Sequence, residues 1–391
     1  MSLQCRAMKY PVLRDADLSG KRVLLRAGFD VPIENDKVAD TTRIEAVVPT
    51  MKHILDAGAS LIILAHQGRP KGKVVAEMSQ KPLAVEIEKL LGVPVQFAEK
   101  WVGEETEKMA GALKPGEVVL LENIRFDERE KVHKDDSLAD ELVKLADVYV
   151  NDAFTNCHRD HTSMVATAKR LPAYMGLTLE QEIKHLSMVL ESPKRPIALI
   201  ISGLKMETKV PVIEQFLKVG DDVLLGGGVA NTFVAARGFD VAKSKYEQEW
   251  FEKCQEIMLE SEKEDMAMVH VPRDVVVASE PTEDAEKLDL PVEDIEGDMA
   301  IFDVGSVTVN RYCEIIAKAG TIVWNGPLGF YELNCFSDAT KRIAEAVSAA
   351  TKNGAMTIIG GGDTIDFHNR YGYSLDAYTF VSTGGGAMLE F

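Results

Sequence analysis

The stretch Asp222-Val223-Leu224-Leu225-Gly226-Gly227-Gly228, followed by helical spacing over Asn231–Arg237, decides the fold. An apolar run too short for a helix meets three glycines, and a helix pattern then begins. Apolar runs of this length suit strands buried on both faces, the condition of a parallel sheet. Working outward, the same unit recurs. Strand candidates lie at Arg22–Arg26, Ser60–Ala65, Glu117–Leu121 and Asp147–Val150 in the first half. A second set lies at Pro196–Ser202, Asp274–Val277, Met299–Phe302, Thr321–Trp324, Met356–Ile359 and Thr379–Ser382. Helix candidates between them are Arg43–Ala57, Lys81–Leu91, Ser137–Ala146, Thr208–Val219, Gln248–Leu259, Val307–Ala319 and Ser337–Thr351. Alternating strands and helices imply an α/β fold with mainly parallel sheets. Two sets imply two domains, as 391 residues allow at roughly 100–200 each. The divider is Thr178–Glu191, flanked by Leu171-Pro172 and Ser192-Pro193-Lys194-Arg195-Pro196, where the prolines disfavour helix. The expected domains are 1–172 and 196–391, with 173–195 as interdomain helix and hinge.

Asp and Glu number 62 against 44 Lys and Arg, a net charge of −18. That acidity argues against nucleic acid or an anionic membrane as partner. It is uneven: residues 243–298 hold 18 Asp and Glu against six Lys and Arg. This stretch reads as a solvated face, and elsewhere the balance is mild. No apolar run approaches the ~18 residues of a membrane span, and Met1 to Tyr10 has no apolar stretch after its Arg and Lys. Five scattered cysteines (Cys5, Cys157, Cys254, Cys313, Cys335) read as free thiols in a reducing compartment. The expectation is a cytoplasmic protein acting on small molecules.

Three glycine triplets, at 226–228, 360–362 and 384–386, each follow a strand candidate and precede a possible helix. Glycine lets backbone N–H groups approach an anion, and the helix dipole adds positive potential. Together they predict an anion or nucleotide site at one edge of the second sheet. No P-loop signature and no dinucleotide fingerprint occurs. His158-Arg159-Asp160 mimics a protein-kinase triplet, but Val165 stands where its asparagine belongs. In the first half, Arg26, Arg43, His66, Arg69, Arg125, His158, Arg159 and His161 fall at strand ends or just past them. Such positions share one sheet edge, so these side chains can converge on a phosphate. His158-x-x-His161 lacks the Cys or acidic partners of a zinc site. Lys205 and Lys209 are four apart, which places both on one helix face near its N-terminus. Cations are disfavoured there unless an anion is bound. Trp324 and Phe380 read as core residues.

Ten motifs in order resemble phosphoglycerate kinase, from about Lys21 to Glu390. They are Arg26-Ala27-Gly28-Phe29-Asp30-Val31-Pro32, Thr42-Arg43-Ile44, His66-Gln67-Gly68-Arg69-Pro70, Glu122-Asn123-Ile124-Arg125-Phe126, and Asn151-Asp152-Ala153-Phe154 with His158-Arg159. Gly203-Leu204-Lys205, Gly226-Gly227-Gly228, Trp324-Asn325-Gly326-Pro327, Gly360-Gly361-Gly362-Asp363-Thr364 and Ser382-Thr383-Gly384-Gly385-Gly386-Ala387 complete them. The resemblance implies two Rossmann-like three-layer domains, joined by a helix and facing each other across a cleft. It implies a monomer that moves a phosphoryl group between 1,3-bisphosphoglycerate and ADP, giving 3-phosphoglycerate and ATP, with Mg²⁺. By that resemblance Arg26, His66, Arg69, Arg125 and Arg159 hold the 3-phosphate and carboxyl end. Gly28, Phe29, Asp30, Arg43, Gln67 and Gly68 belong to the same substrate site. Lys205, Lys209, Gly305, Asn325, Glu332 and Gly361, Gly362, Asp363 and Thr364 bind nucleotide, with Glu332 on the ribose and Asp363 towards the metal. Arg43, Lys205, Gly384 and Gly385 surround the migrating group.

The chain also departs from the family. Gly28 and Asp30 stand where Asp and Asn are usual, so the expectation is weaker substrate binding, or a hydroxyl contact taken over by Asp30. Thr155-Asn156-Cys157 replaces a Gly-Thr-Ala run, Ser306 stands for Pro, and Phe380 stands where many members have His. The extreme C-terminus is expected to return towards the first domain, yet ends at Phe391, short of the usual tail. Two alternatives therefore stay open: a phosphate- or nucleotide-binding member without efficient turnover, and an acyl-phosphate kinase for another carboxylic acid.

Overall fold

The computed structural model describes residues 10–131 and 136–391. The reading of the N-terminal residues as lacking a secretory leader, and Cys5, fall on 1–9, outside the described residues. The chain divides into two compact units, Met1–Lys184 and His185–Phe391. The division falls inside the helix Leu177–Glu191.

The first unit carries a six-stranded parallel sheet in the order Val95–Ala98, Val118–Leu121, Ser60–Leu64, Arg22–Ala27, Val148–Asp152, Ala173–Met175. Alternate residues of each central strand go to opposite faces. Val23, Leu25, Leu61, Ile63, Val118, Leu120, Val148 and Val150 enter one apolar cluster. Leu24, Ile62, Leu64, Val119, Leu121 and Tyr149 enter the other. Two-sided burial is why these strands read as unbroken apolar runs.

The second unit repeats the scheme, in the order Met268–His270, Asp222–Leu225, Ile197–Ile201, Thr321–Asn325, Met356–Gly360, Phe380–Ser382, all parallel. Trp324 is fully buried in its core. Phe380 is not a core residue as the sequence suggests; it is half-exposed on the edge strand. Asp274–Ala278 and Ala300–Val304, expected among the parallel strands, instead form a separate antiparallel sheet with Leu288–Pro291. Their apolar side chains cover a cluster of Val234, Val241, Val275, Val277, Val292 and Ile295, a small core of its own.

Several helix boundaries have local causes. Lys81–Leu91 ends at Gly92, whose φ of 73° is the left-handed turn glycine permits. The single helix expected over Arg43–Ala57 is broken into Thr42–Glu45 and Val48–Asp56. Pro49 has no N–H to bond back into the preceding turn. The acidic stretch is not wholly a solvated face. Asp274 is buried and accepts from the N–H groups of Val307 (2.7 Å) and Thr308 (2.8 Å), capping the helix Ser306–Ile316.

Asp152 does similar work at the helix Leu177–Glu191. One carboxylate oxygen accepts from the Leu179 N–H (2.7 Å), the other from the Thr50 hydroxyl (2.6 Å), which itself accepts from the Leu177 N–H (2.9 Å). Burial pushes the Asp152 carboxyl up to about 6 against those hydrogen bonds. Gly176 packs directly on this carboxylate, leaving no room for a Cβ. Gly176→Ala should therefore cost about 1–3 kcal/mol, read as a lower urea midpoint at unchanged slope.

Candidate active site

The C-terminal ends of the first sheet's strands gather the basic residues. Arg26, near the end of its strand, has no exposed surface. Its Nε donates to Ser163 Oγ (2.9 Å), Nη1 to its neighbour's carbonyl at Ala27 (2.5 Å), and Nη2 lies 3.2 Å from His66 Nδ1. Ser163 in turn donates through N (2.9 Å) and Oγ (2.6 Å) to the buried Glu130 carboxylate. Burial pushes Arg26 down and Glu130 up, and each one's charge opposes the other's shift. Arg26 is thus a braced residue, with Nε, Nη1 and Nη2 each facing one partner.

Arg125 is different. It sits in the turn Ile124–Phe126, with Nη1 donating to the Gly68 carbonyl (2.8 Å) and Nη2 to Asn156 Oδ1 (3.3 Å). Its buried Nε has no acceptor. Burial, then the charge of Arg26, lowers its pKa to about 10. A buried guanidinium N–H without a partner costs free energy until an anion arrives. Arg69 and Arg159 are exposed, and no ion pair to either occurs among the described residues.

Asp30 is the carboxylate facing these cations. Its Oδ1 accepts from the Gly68 N–H (2.9 Å) and its Oδ2 lies 3.7 Å from His66 Nε2. Burial acts to raise its pKa most strongly, but His66, the Gly68 N–H and Arg43 outweigh burial and hold it well below the usual range. Because Arg26 can only donate, His66 Nδ1 accepts and Nε2 carries the proton towards Asp30. Arg43 Nη1 donates to the Asp30 carbonyl. Gly28 leaves a space in which a Cβ would sit 3.1 Å from Thr155 Oγ1, so two of the departures from the family face each other. Phe29 is fully buried in the core, and the Gln67 amide is spent on both backbone groups of Val31. Their side chains shape the site from behind.

In the second unit the strand Thr321–Asn325 ends in Asn325, whose Nδ2 donates to the Gly360 carbonyl (3.0 Å) and whose Oδ1 accepts from Lys209 Nζ (2.5 Å). Burial lowers the Lys209 pKa to about 8, with Asp363 opposing. Lys205 is not on the helix face with Lys209 as its spacing suggests. It is the exposed residue just before the helix Met206–Val219, in extended conformation. Gly361 has φ 100°, and a Cβ there would lie 2.9 Å from Asn325 Nδ2. The helix Gly362–Tyr371 starts at once, with Asp363 exposed in its first turn and Thr364 Oγ1 accepting from the Gly326 N–H (2.8 Å). Glu332 is exposed. Gly305 caps the helix Ser306–Ile316 and leaves room for the Asp274 carboxylate.

The three glycine triplets are not equivalent. At 226–228 two backbone donors are taken: Gly226 N bonds the Ile201 carbonyl at 3.1 Å and Gly227 N the Leu328 carbonyl at 2.9 Å. A Cβ at Gly226 would sit 3.0 Å from the Leu328 Cα. That triplet packs closely against Leu328, Ser202 and Leu204. At Gly362, Gly385 and Gly386 a Cβ would meet nothing within 4 Å. No group among the described residues accepts from the N–H groups of Gly362, Asp363 and Thr364. Glu130 and Ser163, which brace Arg26, carry no recognisable spacing in the sequence. Among the described residues no three His, Cys, Asp or Glu are grouped to hold a metal ion, and His161 faces Glu130 at 3.6 Å.

Residues 13–391 match the family described as phosphoglycerate kinase. The phosphoglycerate kinase of Thermomicrobium roseum is 42% identical over 384 residues, 97% of this chain and 95% of the relative. That of Moorella thermoacetica is 42% identical over 379 residues, with the same coverage. The structure of phosphoglycerate kinase from Coxiella burnetii superposes with a TM-score of 0.86 at 35% identity, covering 98% of this chain and 95% of that one. The Pyrococcus horikoshii phosphoglycerate kinase gives 0.84 at 31%, covering 97% and 95%.

Burial, and then neighbouring arginines for His161 or the opposed pull of Asp30 and Arg26 for His66, hold both imidazoles at about 3. Between pH 6.5 and about 3 the unfolded chain binds protons that these rings refuse when folded, so stability falls as pH falls. A His66→Gln/His161→Gln variant should lose less melting temperature than the parent between pH 7 and pH 5, each against its own pH 7 value.

Proposed function

The chain belongs to the phosphoglycerate kinase family, and we propose that its two polar sheet edges divide the two substrates between them. The reaction is reversible transfer of a phosphoryl group between the acyl phosphate of 1,3-bisphosphoglycerate and ADP, giving 3-phosphoglycerate and ATP. Arg26, His66, Arg69, Arg125 and Arg159 form the pocket for the 3-phosphate and carboxyl end, shaped by Gly28, Phe29, Asp30, Gln67 and Gly68. Lys209, Gly305, Asn325, Glu332 and Gly361 to Thr364 take the nucleotide. Arg43, Lys205, Gly384 and Gly385 surround the migrating group. Unsatisfied donors support this reading on both edges: the buried Arg125 Nε in the first unit and the free N–H groups of Gly362 to Thr364 in the second. Each invites an anionic oxygen.

Members of the family use ATP or ADP, generally with Mg²⁺. An exposed carboxylate is a hard oxygen ligand of the kind magnesium takes, and the N–H groups and lysine beside it suit the phosphate oxygens of a magnesium–phosphate complex. Asp363 would hold the ion, which supplies charge neutralisation on the nucleotide phosphates. The chain's own residues do the rest. A carboxylate or phosphate oxygen is already a nucleophile at neutral pH, so no general base is required. Arginine, lysine and N–H donors align the reactants and compensate charge on the phosphoryl oxygens. The exposed Lys205, outside its helix, has the freedom to follow that group. With substrates on two units, turnover requires closure that excludes water, by bending near 178–191 and 193–196. The enzyme acts as a cytoplasmic monomer on small molecules; no described helix is long and apolar enough to cross a membrane.

A coupled assay with 3-phosphoglycerate and Mg-ATP tests the assignment. Lys205→Ala and Arg43→Ala should each lower kcat by about 100-fold or more while ADP binding, measured by calorimetry, is kept. Nucleotide binding without turnover in the parent would favour the degenerate binder, and turnover only with another acid would favour the third reading. Small-angle scattering should give a smaller radius of gyration with both substrates than with neither; equal radii would refute closure.

A further inference from the structure

The helix Leu177–Glu191 carries an aromatic contact that the chemistry above does not use. The imidazole of His185 lies flat on the Phe380 ring, with centroids 4.2 Å apart and planes 7° apart. Phe380 opens the edge strand Phe380–Ser382, which is paired on one side only, through Ile358↔Phe380 and Gly360↔Ser382. A three-residue edge strand has little backbone bonding to fix it, so its side chains must contribute. Alternation puts Phe380 and Ser382 on the same face of that strand. Ser382 is fully buried, and its Oγ accepts from the Gly384 N–H (3.0 Å). Gly385 follows with φ 52°, and the short helix Gly386–Glu390 packs Met388 towards Gly360. The glycines have no side chains of their own to hold them. Ser382 Oγ holds the first of them through the Gly384 N–H, and by alternation the face that carries Ser382 is the one His185 covers at Phe380.

We propose that His185 is a positioning residue for phosphoryl transfer: its stack on Phe380 ties the connecting helix to residues 383–386. The inference rests on the reading that Gly384 and Gly385 surround the migrating group. The stack is a property of this chain's own pair, since the ring at 380 is phenylalanine. A helix that shifts when substrates bind would move the loop with it, through the ring.

The test is a double-mutant cycle in kcat on His185→Ala, Phe380→Ala and the pair, with His185→Phe as the variant that keeps a flat ring. Each alanine variant should lower kcat roughly three- to ten-fold while ADP affinity stays within about two-fold. The double variant should be no slower than the slower single one. His185→Phe should recover most of the loss, and circular dichroism should show all four folded. A parent-like His185→Ala, losses that multiply in the double variant, or a His185→Phe as slow as His185→Ala would each overturn the proposal. Gly385→Ala separates the two levels. A parent-like kcat there refutes the loop assignment itself, whereas a slow Gly385→Ala beside a parent-like His185→Ala refutes only the coupling.

Discussion

A strand buried on both faces has no place for a polar side chain except at its ends. That constraint governs both units, because the central strands of the two parallel sheets are buried along nearly their whole length. Charged groups are displaced to the strand termini, and in a parallel sheet the carboxyl termini share one edge. Arg26 marks the limit of the rule: it lies one residue inside its strand and must be met by Ser163, Glu130, His66 and a carbonyl. Arg69 and Arg159, a few residues further out, need no such bracing.

The pocket that results is cationic but not indiscriminately so. Asp30 and Glu130 place two carboxylates among the arginines, and His66 and His161 stay neutral because burial and nearby guanidinium groups make protonation costly. Two further positive charges would raise repulsion among Arg26, Arg125 and Arg159 with no anion present to relieve it. Neutral imidazole also fixes direction, since His66 receives from Arg26 and gives towards Asp30. The Asp30 charge, which the sequence alone casts as a liability beside an anionic substrate, is balanced by the Gly68 N–H and His66 before any ligand arrives.

Legibility followed burial. The central strands were readable because two-sided burial writes an unbroken apolar run, as in Ser60–Leu64. The strands that escaped reading are Val95–Ala98, Ala173–Met175, Met268–His270 and Leu288–Pro291, all at sheet edges, and the two-residue pair Ile33–Glu34 and Lys37–Val38; one-sided burial there leaves mixed composition. Asp274–Ala278 misled for the converse reason: its small separate core makes an antiparallel strand look like a parallel one. At the site, arginines and glycines could be picked out by position. Glu130 and Ser163 could not, because a residue that braces another carries no spacing of its own. Nor could composition distinguish Gly226–Gly228 from Gly360–Gly362. Only the backbone acceptors facing each turn separate a packing glycine from an open one.

The same distinction applies to the connecting helix. Its first turn is not left to water but is held by a buried carboxylate, Asp152, whose ionised form is disfavoured by burial and retained by donors from Thr50, Thr178 and Leu179. A cap that costs desolvation is a poor choice for stability alone, since a serine would satisfy the same N–H groups more cheaply. A carboxylate cap has a different property: a donor withdrawn from it favours its protonated, uncharged form. The helix start is therefore held to the strand Val148–Asp152 by one buried carboxylate and the donors of Thr50 and Leu179.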